Sequence, residues 1–456
     1  MKKTIKLGIF GAQRGSYFNP AILHEGGEIV AVCERIPQRI EWMKYQLKQA
    51  NVDPASVAFY TDFDEFINHD MDAVLLANNF SEHTPFAIKC LERNIHVLCE
   101  CQSNVTMADG VALVRAAEKS KAEFMLLENF PFMLFNLEMK KIVESGSLGK
   151  ILYAEGEYNH SSDKPDDKPD PYNTKLRMTA TMSPYEKHWR RFNPRTYYLT
   201  HSLAPLMYIT GARPKRVTAM PVFAPNPSAH TMVGDIASAM TTLNDDDSVF
   251  RFFGCSAFGF TEDSYRFCGR YGQVQNVRGT QGKVMLTYSS GYQPEGTEPV
   301  SFYLPEWKKE DEEMAKKMGH FGGDYFVIKK FFNVIRGEEK NEMDVYFSTT
   351  LASTAILAHR SQLEQGTPYD IPDFRKEEDR VKWENDRLTP YYGADGSEPT
   401  LPCCSRPDYR PSEEAVENFR KALAWYFSDE NPDYMPSPEE LKAYTMPIDN
   451  YFVEKK

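Results

Sequence analysis

The sequence predicts an α/β fold in two parts: a parallel β-sheet covered by helices, and a larger, mostly antiparallel open sheet. Over residues 1–125, short apolar runs alternate with helical stretches, as in consecutive βαβ units. Beyond that point, apolar and polar residues alternate along extended segments, which is typical of strands with one solvated face. The length of 456 residues also exceeds what one hydrophobic core usually organises.

Six apolar segments predict the strands of the parallel sheet. They lack a two-residue alternation, as expected for strands that helices cover on both faces. Helical patterns in residues 36–50, 83–94 and 106–120 supply right-handed crossovers between them. The predicted strands are TIKLGIFGA, EIVAVCE, VAFYTD, DAVLLAN, HVLCEC and EFMLLEN.

The second predicted unit, residues 126–372, opens with the helix FNLEMKKIVESG, which Gly146 and Gly149 terminate. Residues 161–177 are polar and Pro-rich, and they predict a surface loop. Residues 373–456 are rich in Pro, Tyr and charge, and we interpret them as an extension that wraps the body or a partner subunit. The predicted strands of the second sheet are KILYAEGEYNH, KRVTAMPVF, IASAMTTL, SVFRFFGCSAF and KVMLTYS.

The composition narrows the class of partner. A net charge of −12 argues against nucleic acid and anionic membranes, because nothing offsets the repulsion of phosphate. No segment approaches the roughly 20 apolar residues of a membrane span, and the N-terminal apolar run is too short for a signal peptide. We therefore expect a cytoplasmic protein with a small-molecule partner. The eight cysteines include no CxxC pair and no histidine at metal-ligand spacing, so no metal site is predicted.

The first predicted strand runs into GIFGAQRGS, a glycine turn of the kind that binds pyrophosphate. Gly11 and Gly15 would let backbone amides and the next helix approach the phosphates. Gln13 stands where a middle glycine is usual, and Arg14 is expected beside the pyrophosphate. The turn therefore predicts a dinucleotide site.

An acidic residue at the end of the second strand supports this prediction. Glu34 follows the glycine turn by about 20 residues, where a carboxylate binds adenosine ribose hydroxyls and repels a 2′-phosphate. The cofactor is therefore predicted to be NAD rather than NADP, a preference that the adjacent Arg35 weakens.

Polar residues at the carboxyl ends of the later strands complete the predicted crevice, because ligands of such sheets bind at that edge. His83 begins the helix after the fourth strand, where packing of the loop is the alternative to cofactor contact. Glu128 ends the sixth strand and is expected on the substrate side. The residues expected on the cofactor side are Asn78, His83, Glu100, Cys101 and Asn129.

Several stretches resemble the Gfo/Idh/MocA oxidoreductase superfamily over residues 1 to about 375. They are DAVLLANNFSEHTPFAIKCLERNIHVLCE, EFMLLENFPFM and VESGSLGKILYAEGEY, and His83 matches a family histidine. The resemblance implies a Rossmann domain that binds NAD. It also implies an α/β domain whose open sheet supports the substrate site and often an oligomer interface, so a homo-oligomer, dimer or tetramer, is expected.

Two departures from the family concern proton transfer. The fifth strand of relatives usually ends in Glu-Lys-Pro, whereas this chain has Glu100, Cys101 and Gln102. Relatives carry an aspartate four residues before a histidine, whereas here Tyr197 precedes His201. These differences make the usual dehydrogenase mechanism doubtful, and no catalytic role is assigned to Cys101.

A subgroup of the superfamily accommodates these departures. YYLTHSLAPLMYITG resembles the Tyr-x-Thr-His signature of its NAD-dependent glycoside hydrolases, which include α-N-acetylgalactosaminidases, with Tyr198 and His201 in the matching positions. GHFGGDYF resembles their Gly-His-Gly-Gly-x-Asp block, matching His320 and Asp324. The resemblance implies hydrolysis by transient oxidation at sugar carbon 3, elimination of the aglycone, addition of water and return of the hydride from tightly bound, recycled NAD.

The site hypothesis assigns catalysis to His201 and Tyr198, since a histidine titrates near neutral pH and a tyrosine three residues earlier shares its face on a helix. The segment EKHWRRFNPR is either a holder for an acidic sugar substituent or a solvated turn. A simple NAD-dependent sugar or polyol dehydrogenase and a cofactor-bound binding protein remain as alternatives. The residues expected to contact substrate are Glu128, Trp189, Arg190, Tyr197, His320 and Asp324.

Overall fold

The first sheet has the strand order of a dinucleotide-binding fold. The computed structural model describes residues 3–160, 187–225, 231–414 and 416–417. Among these, six parallel strands pair in the order β3-β2-β1-β4-β5-β6. The order reverses between β1 and β4, which opens a crevice at their carboxyl ends. The strands are β1 (Ile5–Phe10), β2 (Gly27–Cys33), β3 (Ala58–Tyr60), β4 (Ala73–Leu76), β5 (His96–Glu100) and β6 (Phe124–Leu127).

Helices cover both faces of this sheet, so its central strands are buried. All four residues of β4 and all four of β6 are buried, as the continuous apolar runs predicted. Local signals fix the helix starts: Pro37 opens α3, and the Thr106 hydroxyl accepts the Asp109 amide at the start of α6. The helices are α1 (Ala12–Ser16), α2 (Asn19–His24), α3 (Pro37–Gln49), α4 (Phe63–Phe66), α5 (His83–Glu92), α6 (Met107–Lys119) and α7 (Leu134–Glu144).

The second sheet contains nine strands among the described residues. Their order is β14-β13-β12-β11-β7-β10-β9-β8-β15. The pair β7 and β10 is parallel and the other pairs are antiparallel, so the prediction of a mostly antiparallel sheet is confirmed. The strands are β7 (Ile151–Asn159), β8 (Pro214–Phe223), β9 (Asp235–Asn244), β10 (Val249–Ser256), β11 (Glu262–Gly269), β12 (Gly272–Asn276), β13 (Val284–Tyr288), β14 (Val300–Tyr303) and β15 (Tyr369–Asp370).

Two long helices join this sheet to the rest of the chain. Helix α8 lies so close to β7 that a Cβ on Gly156 would stand 2.2 Å from the Ser202 carbonyl oxygen. Helix α11 is bound to the sheet where the Ser361 hydroxyl accepts the Ala219 amide at 2.9 Å. The helices of this part are α8 (Thr200–Thr210), α9 (Lys309–Lys317), α10 (Gly323–Ile335), α11 (Val345–Leu363) and α12 (Glu377–Arg380).

The predicted surface loop at 161–177 lies outside the described residues, as do residues 418–456 of the predicted extension. Within the described ranges, no helix is both long enough and apolar enough to cross a membrane. The domain limits 1–125, 126–372 and 373–456 stay a prediction.

Candidate active site

The glycine turn has the geometry that a dinucleotide needs. Gly11 adopts φ 98°, and a Cβ there would lie 2.2 Å from the Ala77 carbonyl oxygen, so no other residue fits. The side-chain oxygens of Gln13 and Asn78 are buried without a hydrogen-bond partner among the described residues. Two unsatisfied acceptors at the carboxyl edge of the sheet fit a polar ligand that completes them.

Glu34 holds this turn in place. Its carboxylate accepts the Ala12 amide at 2.9 Å and the Ile36 amide at 3.0 Å, and the side chain is buried. A ribose hydroxyl would share these same oxygens, so ribose binding by Glu34 stays a prediction. Arg35 forms an ion pair with Glu82 at 2.7 Å, which directs its guanidinium to that carboxylate.

His83 connects two loops at the edge of the sheet. Its Nδ1 lies 2.9 Å from the Gln102 carbonyl oxygen and its Nε2 lies 3.3 Å from that of Asn78. Burial lowers the pKa of His83, which favours the neutral ring. Both nitrogens face the backbone, so His83 orders the ends of β4 and β5. Its predicted contact with the cofactor remains untested.

A charged network lies where the ends of β5 and β6 meet the start of α10. Arg14 contacts Glu100 at 3.2 Å and Asp324 at 3.4 Å, while Asn129 donates to Asp324 at 2.7 Å. Burial by itself would raise the pKa of Asp324, but protonated His320 at 2.8 Å and Arg14 hold it well below its usual value. Asp324 outweighs the effect of burial on His320 and raises the pKa of that imidazole.

The predicted catalytic histidine is paired with a carboxylate. His201 Nδ1 lies 2.7 Å from Glu128 Oε1, which also accepts the Phe130 amide at 3.2 Å. Glu128 is fully buried, and its Oε2 has no partner among the described residues. The Phe130 ring stacks on His201 with centroids 4.0 Å apart. The carboxylate and the aromatic ring together fix the orientation of this imidazole.

Cys101 follows β5 and faces the same pair. Its backbone has φ 51°, in the left-handed region, and its amide donates to the Leu127 carbonyl at 3.2 Å. The donor atoms of Cys101, Glu128 and His201 all lie within 4.8 Å of one another, and all three residues are buried. Burial raises the pKa of the Cys101 thiol well above its ordinary value. Sequence spacing predicted no such cluster, because its members come from three separate elements.

Two tyrosine rings also contact the imidazole of His201. Tyr198 lies edge-on to the imidazole at 5.1 Å, and Tyr158 does so at 4.7 Å. Helix α8 begins only at Thr200, so Tyr198 reaches His201 from the preceding 3-10 turn and not along a shared helical face. Burial raises the pKa of Tyr198, which makes its hydroxyl a proton donor at neutral pH.

The sequence analysis missed the contribution of β11. The Tyr265 hydroxyl donates to the His201 carbonyl oxygen at 2.5 Å. Asp263 is two residues before Tyr265 and pairs with Tyr158 across the sheet, so the three side chains share one face. Burial raises the pKa of Asp263 to about 6. The alternation of polar and apolar residues in EDSYRFCG could have indicated a strand, but it does not reveal which strand lies opposite.

Three predicted substrate contacts lie apart from this cluster. Tyr197 is fully buried, and its hydroxyl donates to the Val105 carbonyl at 3.4 Å, so its contact with a substrate stays a prediction. Trp189 stacks on Phe80 with centroids 4.7 Å apart, and Arg190 lies over the indole. These two residues form a partly exposed rim, and their contact with a substrate stays a prediction.

Comparison with protein families first defines the class of protein to which the N-terminal part of the chain is related. Residues 5–127 match the oxidoreductase family with an NAD-binding Rossmann fold, Gfo/Idh/MocA, as predicted. Levoglucosan dehydrogenase in complex with NADH and L-sorbose has a similar fold, with a TM-score of 0.63 at 13% identity over 82% of this chain and all of that one. An oxidoreductase from Agrobacterium radiobacter, solved with NAD⁺, L-tartaric acid and magnesium, has a TM-score of 0.61 at 14% identity, covering 80% of this chain and 98% of that one. The chain is an NAD-dependent enzyme, and the prediction of NAD as cofactor is confirmed.

A second family match concerns the C-terminal part of the chain and indicates a narrower group of proteins. Residues 269–384 match the C-terminal domain of glycosyl hydrolase 109. Glycosyl hydrolase family 109 protein 1 of Bacteroides thetaiotaomicron is 22% identical over 82% of this chain and 85% of its own length. A family 109 protein of Saccharopolyspora erythraea is 25% identical over 87% of each chain. The chain thus combines a Gfo/Idh/MocA Rossmann domain with a glycosyl hydrolase 109 C-terminal domain. The second domain agrees with the glycoside hydrolase subgroup that the sequence motifs resemble.

Proposed function

We propose that the protein hydrolyses a glycoside by transient oxidation of its sugar. The relatives named as family 109 glycosyl hydrolases support the substrate class, and the NAD-binding domain supports the oxidation. The observation that carries the proposal is the Glu128–His201 pair at 2.7 Å, next to the ends of β5 and β6. The nicotinamide of a Rossmann domain is expected at this edge.

His201 is proposed as the base for the sugar hydroxyl. With Nδ1–H donating to Glu128, the imidazole keeps Nε2 free to accept a proton. Tyr198, with its raised pKa, would donate a hydrogen bond to the sugar beside it. When bound, NAD supplies a hydride acceptor at the start and returns the hydride at the end, so the net reaction is hydrolysis.

A second histidine–carboxylate pair is proposed for the proton at the neighbouring carbon, which the neutral form of His320 would accept. The ring centroid of His320 lies 5.6 Å from that of Phe130, and the same Phe130 ring stacks on His201. Asp324 holds His320 through Nδ1, as Glu128 holds His201. A reaction that moves one proton from oxygen and one from carbon needs two such groups.

The test is a panel of nitrophenyl glycosides incubated with NAD⁺, with release of nitrophenol and formation of NADH followed together. We expect nitrophenol without net NADH, and a fall in turnover of about 100-fold or more in His201→Asn. His359→Asn is the matched control, because His359 is also buried but contacts the Pro402 carbonyl away from the crevice. NADH formed in proportion to sugar consumed would identify a dehydrogenase instead.

A further inference from the structure

Three metal-ligating side chains converge beside the end of β5. Cys101 directly follows β5, Glu128 directly follows β6, and His201 lies in the first turn of α8. Their sulfur, oxygen and nitrogen donor atoms lie within 4.8 Å of one another. The exposed fraction is 5% for Cys101, 0% for Glu128 and 8% for His201. The three ligands therefore form a buried cluster and not a chance grouping on a surface.

An unsatisfied carboxylate oxygen provides independent evidence. Glu128 Oε1 has two partners, the Phe130 amide and His201 Nδ1. Glu128 Oε2 is buried with no partner among the described residues. Buried carboxylates in proteins are paired, hydrogen-bonded or bound to a cation, because desolvation of an isolated charge is strongly unfavourable. The free oxygen therefore points to a cation bound within this cluster of three side chains.

We propose that Cys101, Glu128 and His201 bind one zinc-class divalent cation. Thiolate, imidazole and carboxylate together suit zinc, whereas calcium and magnesium prefer oxygen ligands alone. Three protein ligands leave a fourth position open. Ligand atoms around a tetrahedral zinc ion lie about 3.2–3.8 Å apart, so His201 Nδ1 and Glu128 Oε1, now 2.7 Å apart, move apart when the cation is bound by Nδ1 and by the free Oε2 of Glu128.

Binding of the cation displaces protons from its ligands. The Cys101 thiol loses its proton to solvent when sulfur coordinates the cation. When His201 Nδ1 coordinates the cation, the proton that it shared with Glu128 moves to Nε2, because a coordinated imidazole is neutral and carries its proton on the other ring nitrogen. Binding is therefore stronger at higher pH, and no oxidant or reductant takes part.

The cation has a consequence that rests on the proposed function. Once a ring nitrogen of His201 is a ligand, the hydrogen-bonded pair with Glu128 is broken and the imidazole no longer acts as a general base. We therefore expect zinc to inhibit glycoside hydrolysis and a chelator to restore it. The site would link the activity of the enzyme to the supply of free zinc.

The test is cobalt substitution in the full chain after treatment with a chelator. Cobalt bound to a thiolate gives a charge-transfer absorption band, and we expect one cobalt per chain with that band. Cys101→Ser should abolish the band, and Glu128→Gln should weaken cobalt binding at least 10-fold. Cys99→Ser is the matched control, because Cys99 is buried two residues earlier in β5. Thermal melting of each variant establishes that it folds.

The outcomes separate the site from the reaction. An absent band, or an unchanged band in Cys101→Ser, overturns the metal site whether or not the enzyme hydrolyses glycosides. A band of the expected kind in a protein without glycosidase activity supports the site and counts against the proposed function alone. Activation of hydrolysis by zinc would overturn the inhibitory role.

Discussion

At the scale of single residues, the partner of each histidine decides what the imidazole can do. His83 lies between two backbone carbonyls, whereas His201 and His320 each face a carboxylate. The sequence predicted all three near the crevice, because strand ends and motifs place them there. It did not reveal their partners, since Glu128 and His201 are 73 residues apart and meet only where α8 packs against the segment that follows β6.

Removing the charge of Glu128 should impair catalysis more than folding. In Glu128→Gln the amide retains the size of the side chain but no longer favours a protonated His201 in the transition state. We expect kcat for glycoside hydrolysis to fall about 100-fold, with NAD⁺ affinity unchanged. Glu25→Gln is the control, since Glu25 is a buried carboxylate that accepts from Tyr325 outside the crevice. Equal losses in both variants would contradict the assignment.

The His320–Asp324 pair should give the folded state a pH optimum. The depressed pKa of Asp324 contributes stability at neutral pH that is lost as pH falls below its usual value of 3.8. The raised pKa of His320 contributes stability below 6.5 that is lost as pH rises through its raised value. Urea unfolding should therefore show the largest difference between wild type and Asp324→Asn at about pH 5.5, with smaller differences at about pH 3.5 and at a pH above the raised pKa of His320.

The control for this prediction is Asp64→Asn. The ion pair of Asp64 with Lys89 is exposed, so water screens it and its removal should alter stability little at any pH. A difference between wild type and Asp324→Asn that stays constant across the three pH values would contradict the linkage of the two groups.

At the scale of elements, the N-terminal sheet was predictable, whereas four of the nine strands of the C-terminal sheet were not. The six strands of the first sheet are apolar runs separated by helices, so their parallel direction follows from crossover rules. Strands β11, β12, β14 and β15 escaped prediction because they are short or carry many polar residues. Their pairing depends on partners distant in sequence, and β11 brings Asp263 and Tyr265 to the candidate site.

Gly156 tests whether the contact between β7 and α8 positions His201. A Cβ at Gly156 would stand 2.2 Å from the Ser202 carbonyl oxygen, and a backbone atom in a helix does not yield easily. Gly156→Ala should lower the free energy of unfolding by about 1–3 kcal/mol and should reduce kcat by displacing α8. Gly146→Ala is the control, since Gly146 has φ 73° and open space around it, so it loses about 1 kcal/mol with activity retained.

At the scale of the whole molecule, the segment after residue 372 contacts both sheet-containing units. Arg380 in α12 forms an ion pair with Glu118 in α6, on the first unit. The Ser405 amide donates to Asp235 in β9, on the second unit, at 2.8 Å. The polar composition of this segment predicted an extension around the body but not its contacts, because ion pairs between distant residues leave no periodic signal. We propose that the segment fastens the two units together and so keeps the crevice between them in one shape.

Asp386 tests this fastening. It forms a bidentate pair with Arg360 of α11 at 2.5 and 2.7 Å, with side chains only 18% and 8% exposed. Asp386→Ala leaves a buried guanidinium without its carboxylate, which should lower the free energy of unfolding by about 3–5 kcal/mol in urea titrations. Asp370→Ala removes an equally short pair with Arg216, but its side chains are 72% and 53% exposed, so water screens the pair and we expect a much smaller loss of stability. If the two variants lost the same stability, the segment would be a surface attachment; if only Asp386→Ala also weakened NAD⁺ binding, the fastening would extend to the crevice.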